Sequence, residues 1–168
     1  MTAGFVIEPL GAHDRRGFAS GVDALDRYLA TQASQDVKRR VSNCFVALDD
    51  AGLIAGYYTL AASSVLLTEM PPETAKRLPR YPLVPAALIG RLAVDRRFRR
   101  KGLGRALVMD AAVRAGGSDP AIFALLVDAK DDAAITFYRH NGFRSFASKP
   151  HCLFLPVATA LQALQDDS

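Results

Sequence analysis

A single α/β domain, spanning residues 1–168, is predicted from three observations. Strand-like and helix-like patterns follow one another in the order strand, helix, hairpin, strand, helix, strand, helix, strand, strand, with no repeat or low-complexity linker between them. The central stretch Arg91-Leu-Ala-Val-Asp-Arg-Arg-Phe-Arg-Arg-Lys-Gly-Leu-Gly-Arg-Ala-Leu107 passes from an apolar strand through a basic, glycine-punctuated turn into a helix. Ile122-Phe-Ala-Leu-Leu-Val-Asp128 is the continuous apolar run expected of a strand covered on both faces.

Residues 5–9 read as a first strand and the polar residues up to Ser20 as a loop. A helix is predicted from Ser20, where Ser20 and Asp23 make a capping-box-like start and Leu25, Tyr28, Leu29 and Ala33 share a face; it fades near Lys38-Arg39-Arg40. Cys44-Phe-Val-Ala-Leu48 and residues 53–64 have strand character, and Asp49-Asp-Ala-Gly52 between them is a hairpin turn. Five of the nine prolines fall between Met70 and Pro85, which disfavours a regular strand and leaves room for one short helix near residues 74–78. Residues 87–94 then form the central strand, and residues 103–114 carry apolar residues at helical spacing. A later helix starts at Asp131 or Asp132 and ends at Asn141-Gly142, the glycine supplying a left-handed C-cap. Residues 143–146 and 152–156 are closing strands, and a last helix runs through Leu161 and Leu164.

Half of the residues are hydrophobic, enough for a sizeable core. No run approaches the about 20 apolar residues of a membrane span, and the N-terminus lacks the basic-then-apolar order of a signal peptide, so the expected location is cytoplasmic, without membrane association. Cys44 and Cys152 are too few and too far apart for a disulfide framework or metal site and read as small buried apolar residues. His13, His140 and His151 share no ligand spacing, and no metal is expected.

The net charge of +4 suits an anionic ligand, and its placement says more than its sum. Six basic residues fall between Arg96 and Arg105. A helix start exposes unpaired N–H groups and a partial positive charge. Gly102 and Gly104 let an anion approach the backbone there, while Arg99, Arg100, Lys101 and Arg105 supply countercharge. Lys38, Arg39 and Arg40 have two readings: cations at the negative end of a helix dipole, or contacts to nucleic-acid phosphate.

These residues resemble the GNAT superfamily of N-acetyltransferases. Its Arg/Gln-x-x-Gly-x-Gly/Ala signature is matched by Arg99-Arg-Lys-Gly102-Leu-Gly104, and its Ala-x-x-Phe-Tyr…Gly-Phe segment by Ala134-Ile-Thr-Phe137-Tyr138 and Asn141-Gly142-Phe143. The resemblance implies a mixed, mostly antiparallel, twisted sheet splayed around acetyl-CoA and flanked by helices. It implies that Leu92, Ala93 and Val94 pair with the pantetheine arm. The pyrophosphate then lies on Arg99, Arg100, Lys101, Gly102, Leu103, Gly104, Arg105 and Ala106. Arg100 stands where many relatives have another glycine, so its side chain either hinders phosphate approach or contacts the phosphate. Asp131 takes the place of an asparagine that contacts the pantetheine arm in the family, Phe137 lies beside that arm, and the Tyr138 hydroxyl points at the thioester sulfur.

Gly21-Val-Asp-Ala-Leu-Asp-Arg-Tyr-Leu29, Gly56-Tyr-Tyr-Thr-Leu60, Gly90-Arg-Leu-Ala-Val-Asp95 and Val127-Asp-Ala-Lys130 resemble the tRNA-acetylating (TacT-like) toxins of bacterial toxin–antitoxin pairs. That implies acetylation of the α-amino group of aminoacyl-tRNA, a block of translation, a homodimer and a ribbon-helix-helix antitoxin. Acyl transfer to an amine needs a deprotonated amine, stabilisation of charge on the thioester oxygen and a proton for the thiolate. The N–H of Val94 is the expected polarising group and Tyr138 the expected acid; Lys38, Arg39 and Arg40 are the expected RNA contacts. Two other functions stay open on sequence alone: an N-acetyltransferase for a small amine or protein N-terminus, and a non-catalytic acyl-CoA- or RNA-binding module.

Overall fold

The computed structural model describes residues 4–167. Among them are seven strands: β1 (Val6–Pro9), β2 (Asn43–Leu48), β3 (Ile54–Leu66), β4 (Leu83–Val94), β5 (Ala124–Asp128), β6 (Arg144–Ser145) and β7 (Cys152–Pro156). Helices α1 (Asp23–Thr31), α2 (Ala33–Lys38), α3 (Pro72–Ala75), α4 (Leu103–Gly116), α5 (Asp132–His140) and α6 (Val157–Asp166) lie between and after them. The strands form one sheet in the order β1-β2-β3-β4-β5-β7-β6, the α/β arrangement that the pattern predicts. The chain divides into two compact units, Met1–Ala61 with Ile89–Asp110 and Ala62–Leu88 with Ala111–Ser168.

In the first unit β1 and β2 pair antiparallel, Val6 opposite Leu48 and Pro9 opposite Phe45, and β2 pairs antiparallel with β3 from Asn43–Leu60 to Leu48–Ile54. The Asp49 carboxylate accepts from the N–H groups of Ala51 and Leu53 at 2.9 and 2.8 Å, and Gly52 takes φ +82°, which closes the predicted hairpin. Beneath lies a core of Phe18, Tyr28, Leu29, Ala33, Cys44, Val46, Ile54, Tyr57 and Ala93. Tyr28 and Leu29 are the buried stripe of α1; full burial of a side chain such as Leu29 contributes about 1.5–3 kcal/mol.

The single predicted helix after Ser20 is two helices, and it starts later. Val22 is the N-cap and makes no side-chain cap bond. Ser20 pairs not with Asp23 but with Asp26, its hydroxyl and N–H both donating to Oδ1 at 2.6 and 3.0 Å. At Gln32 the backbone leaves the helical region (φ −122°), and the Tyr28 hydroxyl donating to Asp36 at 2.7 Å fixes the bend.

In the second unit β5 pairs antiparallel with β7, Ala124 opposite Pro156 and Asp128 opposite Cys152, and β6 adds to β7. Its core includes Val65, Met70, Val84, Ala124, Phe146 and Phe154. Strand β4 begins at Leu83, earlier than expected, and so contains Pro85. Proline costs that position a donor only, and the Pro85 carbonyl still accepts from the Phe123 N–H at 2.9 Å. The short helix of the proline-rich segment also comes earlier, at Pro72–Ala75, with proline in its first turn where no N–H is needed. Among the described residues no helix is long and apolar enough to cross a membrane.

Candidate active site

Residues 91–107 begin on the last turns of pleat of β4. The Asp95 N–H donates to the Ala55 carbonyl of β3 at 2.8 Å. Successive strand N–H groups point to opposite edges, so the N–H of Val94 faces away from β3. Beneath this strand end Gly56 permits close approach: a Cβ there would meet the Ala93 carbonyl oxygen at 2.9 Å and the Leu103 and Leu107 side chains at 3.2 and 3.3 Å. Tyr57 and Tyr58 after it are fully buried and tie down helices, Tyr57 donating to the Leu25 carbonyl and Tyr58 to the Asp110 carboxylate, both at 2.6 Å.

Asp95 is the residue that sequence reasoning missed. Its side chain is 1% exposed, yet it stays charged. Burial acts to raise its carboxyl, but hydrogen bonds from the Arg97 side chain and from the N–H groups of Ala19 and Arg97 outweigh this and hold it below the ordinary carboxylate range. Asp95 thereby caps the 3-10 turn Arg96–Phe98 and fastens the loop before α1, where Arg96 N–H also donates to the Ala19 carbonyl at 3.0 Å. The sequence signal for it is an Asp between an apolar strand and a turn, a cap position.

The basic residues of the turn divide into two groups. Arg97 is paired with Asp95 at 3.0 Å, and Arg99 donates to the Ser20 carbonyl at 2.5 Å, so both hold the loop. Arg96, Arg100 and Lys101 are exposed. Arg100 and Gly102 have φ +62° and +76°, the left-handed region that suits glycine at both places. A glycine at the first of these would avoid a strain that Arg100 accepts. A Cβ on Gly102 would meet nothing within 4 Å, so Gly102 serves its backbone angle there. Helix α4 then opens with Ala106 N–H bonded to the Gly102 carbonyl at 3.1 Å, and the N–H groups of Leu103 and Gly104 precede that first helical bond. Leu103 and Leu107 are buried and anchor the helix. Leu92, Ala93 and Val94 thus lead directly into residues 99–106, where the loop turns into the start of α4.

In the second unit α5 carries the other predicted residues. Asp131 is its N-cap, accepting from the Ala134 N–H at 2.8 Å, so this side chain is committed to the helix start. Gly142 ends the helix at φ +95°, as predicted. Phe137 is half-buried and Tyr138 is 8% exposed, its ring edge-on to Phe137 and Phe143 at 5.1 and 5.2 Å. Burial pushes the Tyr138 phenol up to about 12, so the hydroxyl stays protonated at neutral pH. That hydroxyl has no hydrogen-bond partner among the described residues, and it is not sealed from the surface either. A buried ring with an open, protonated hydroxyl can donate a proton or a hydrogen bond.

Lys38 closes the last turn of α2, Arg39 caps it, and Arg40 follows at φ +63°; all three are exposed. His13 pairs with Glu8 at 3.0 Å, and no group of metal ligands occurs among the described residues. Cys44 is buried, as expected. Cys152 is not a plain apolar residue: it is half-buried and its thiol donates to Asp128 at 3.0 Å, burial first and then this bond pushing it up to about 11.

Residues 40–145 match the family model described as acetyltransferase (GNAT) domain. The chain is 35% identical over 157 residues to a tRNA-acetylating toxin of Mycobacterium tuberculosis, covering 92% of this chain and 93% of that protein. It is similar to a solved structure of AtaT complexed with acetyl-methionyl-tRNAfMet, with a TM-score of 0.86 and 27% identity over 95% of this chain and 99% of that one. A tyrosine-to-phenylalanine mutant of the AtaT toxin bound to the C-terminus of the antitoxin AtaR matches with a TM-score of 0.78 and 25% identity, over 95% of this chain and 98% of that one. The chain therefore belongs to the GNAT acetyltransferase family.

Proposed function

We propose that this protein is a toxin that moves the acetyl group of acetyl-CoA to the α-amino group of an aminoacyl-tRNA and so blocks translation, both units acting as one acetyltransferase domain. The observation that carries the reading is Tyr138, with its buried ring and its open, protonated hydroxyl. The choice of acceptor is supported by the similarity to the tRNA-acetylating toxin along 92% of the chain.

Acetyl-CoA supplies an activated acetyl group; the protein orients it and manages charge and protons. Leu92, Ala93 and Val94 offer strand backbone to the pantetheine arm, with Asp131 and Phe137 beside that arm. The residues Arg99, Arg100, Lys101, Gly102, Leu103, Gly104, Arg105 and Ala106 take the phosphates. The N–H of Val94 stabilises negative charge developing on the thioester oxygen. An α-amino group has a pKa of about 7.7–8.0, and esterification of the neighbouring carboxyl lowers it, so the amine attacks without a strong protein base. As the new C–N bond forms and the C–S bond breaks, the sulfur takes the Tyr138 proton, the amine releases one to solvent, and the Tyr138 phenolate regains one from solvent. At about 12 Tyr138 is a weaker acid than an ordinary thiol of about 8.5. Transfer therefore requires a sulfur that is itself desolvated, because loss of water makes a thiolate more basic.

Lys38, Arg39 and Arg40 contact RNA phosphates in this reading. The working form is a cytoplasmic homodimer held in check by a ribbon-helix-helix antitoxin whose tail covers the site; the support is the AtaT mutant bound to the C-terminus of AtaR. Coenzyme A release, compared across charged tRNA, deacylated tRNA, small amines and N-terminal peptides, tests the acceptor. Turnover dependent on charged tRNA supports it, and turnover on amines or peptides alone refutes it.

A further inference from the structure

A groove of about 390 Å³ in the first unit is lined by none of the residues assigned above to acetyl-CoA or RNA. Arg27, Tyr28 and Thr31 of α1, Gln32 at its end and Arg91 of β4 line it, and no carboxylate does. We infer that this groove binds a phosphodiester of the single-stranded RNA end of the acceptor, with Arg91 as its anchor and Arg27 at its rim. The inference rests on the aminoacyl-tRNA reading of the acceptor.

Arg91 is half-buried, and a guanidinium in that position ordinarily pairs with a carboxylate. Arg91 has no carboxylate within ion-pair distance among the described residues. Its neighbour is the Tyr28 ring, with the guanidinium carbon 3.5 Å from the ring centroid. The acids nearby are already engaged. Asp36 accepts from the Tyr28 hydroxyl at 2.7 Å, and Asp26 accepts from Ser20 at 2.6 Å, while Asp23 stays outside the lining. The Tyr28 ring, held by Asp36 and 4% exposed, lies against the guanidinium, and Arg91 lines the groove.

That geometry suits a nucleotide. The planar fork of an arginine matches phosphate oxygens two at a time. Arg27 is exposed at the rim and adds a second positive charge, and Gln32 offers an amide to a ribose hydroxyl. The volume falls in the range of small-molecule sites rather than that of a lone ion. Arg91 is also about 10 Å along the same strand from Val94 at about 3.3 Å per residue, so a nucleotide held there would keep the acceptor end close to the strand that presents the thioester.

The test uses the purified full chain and a fluorescently labelled RNA hairpin with a single-stranded 3′ tail, read by anisotropy over a salt series. Arg91→Gln is expected to weaken RNA binding about tenfold and Arg27→Gln about threefold, each reducing the slope of log K against log salt by about 1. Arg91→Lys should recover part of the loss. Acetyl-CoA affinity should stay within twofold of wild type in all three. Arg27 is exposed, so Arg27→Gln reports on the groove even if Arg91→Gln fails to fold. Unchanged RNA affinity in both glutamine variants, absence of RNA binding by the wild type, or a loss confined to acetyl-CoA would overturn the inference, the last by assigning the groove to a coenzyme A phosphate. Acetylation is scored separately. A wild type that binds RNA through Arg91 but leaves charged tRNA unacetylated supports the groove and refutes the acceptor reading. A wild type that acetylates charged tRNA, with Arg91→Gln showing the same KM, refutes the groove alone.

Discussion

A Cβ added to Gly56 would stand 2.9 Å from the Ala93 carbonyl oxygen, so β3 and β4 meet there at a spacing that only glycine allows. The strand proposed to present the acetyl donor is therefore positioned by the absence of a side chain on its neighbour. Gly56→Ala should cost about 1–3 kcal/mol through overpacking, a fall in melting temperature of about 2–4 °C per kcal/mol, and should raise the KM for acetyl-CoA. Thermal denaturation and initial rates check both.

Asp95 holds the end of that strand, the 3-10 turn and the loop before α1 through its bonds to Ala19 and Arg97. Asp95→Asn removes charge-assisted bonds and should destabilise the fold by about 1.5–3 kcal/mol at neutral pH. The native carboxyl is held below its unfolded value, so its contribution is complete above about pH 4 and disappears as the pH falls through the lowered native value. Urea denaturation of wild type and variant should diverge at pH 7 and converge in acid.

Arg100 occupies a left-handed position at φ +62°. Arg100→Gly should relieve about 1 kcal/mol of backbone strain and raise the melting temperature. With the coenzyme A phosphates placed as proposed, the same change should weaken acetyl-CoA binding a few-fold, because a cation is lost beside them. Calorimetric binding and thermal denaturation are expected to move in opposite senses.

For Tyr138 the expected signature is kinetic. Tyr138→Phe should lower kcat about 10²–10⁴-fold while acetyl-CoA affinity changes less than twofold. Because burial favours the neutral phenol, its proton is present below about pH 10 and is lost as the pH rises toward about 12. The wild-type rate should rise with the deprotonation of the acceptor amine and then stay level to about pH 10. A fall beginning near pH 8 would remove Tyr138 as the proton source.

Much of this was legible in the residues because the signals are local. The hairpin at Asp49-Asp-Ala-Gly52, the Gly142 C-cap and the strand-to-helix passage at residues 91–107 depend on backbone angles and capping chemistry within a few positions, and each is found. What the sequence concealed depends on contacts distant along the chain. Ser20 could not be seen to prefer Asp26 over Asp23, nor Tyr28 to bend the first helix by reaching Asp36. Pro85 suggested a break, yet the strand continues because its carbonyl finds the Phe123 N–H. That Arg99 holds the loop before α1 depends on the Ser20 carbonyl, 79 residues away, which no local pattern pairs with it.

The most direct measurement incubates the protein with labelled acetyl-CoA and total charged tRNA, digests the RNA with nuclease and identifies the labelled product by mass spectrometry. The account predicts label on N-acetyl-aminoacyl-adenosine, present with wild type and absent with Tyr138→Phe. Label on a free amine or on protein, with none on the aminoacyl-adenosine, would contradict it.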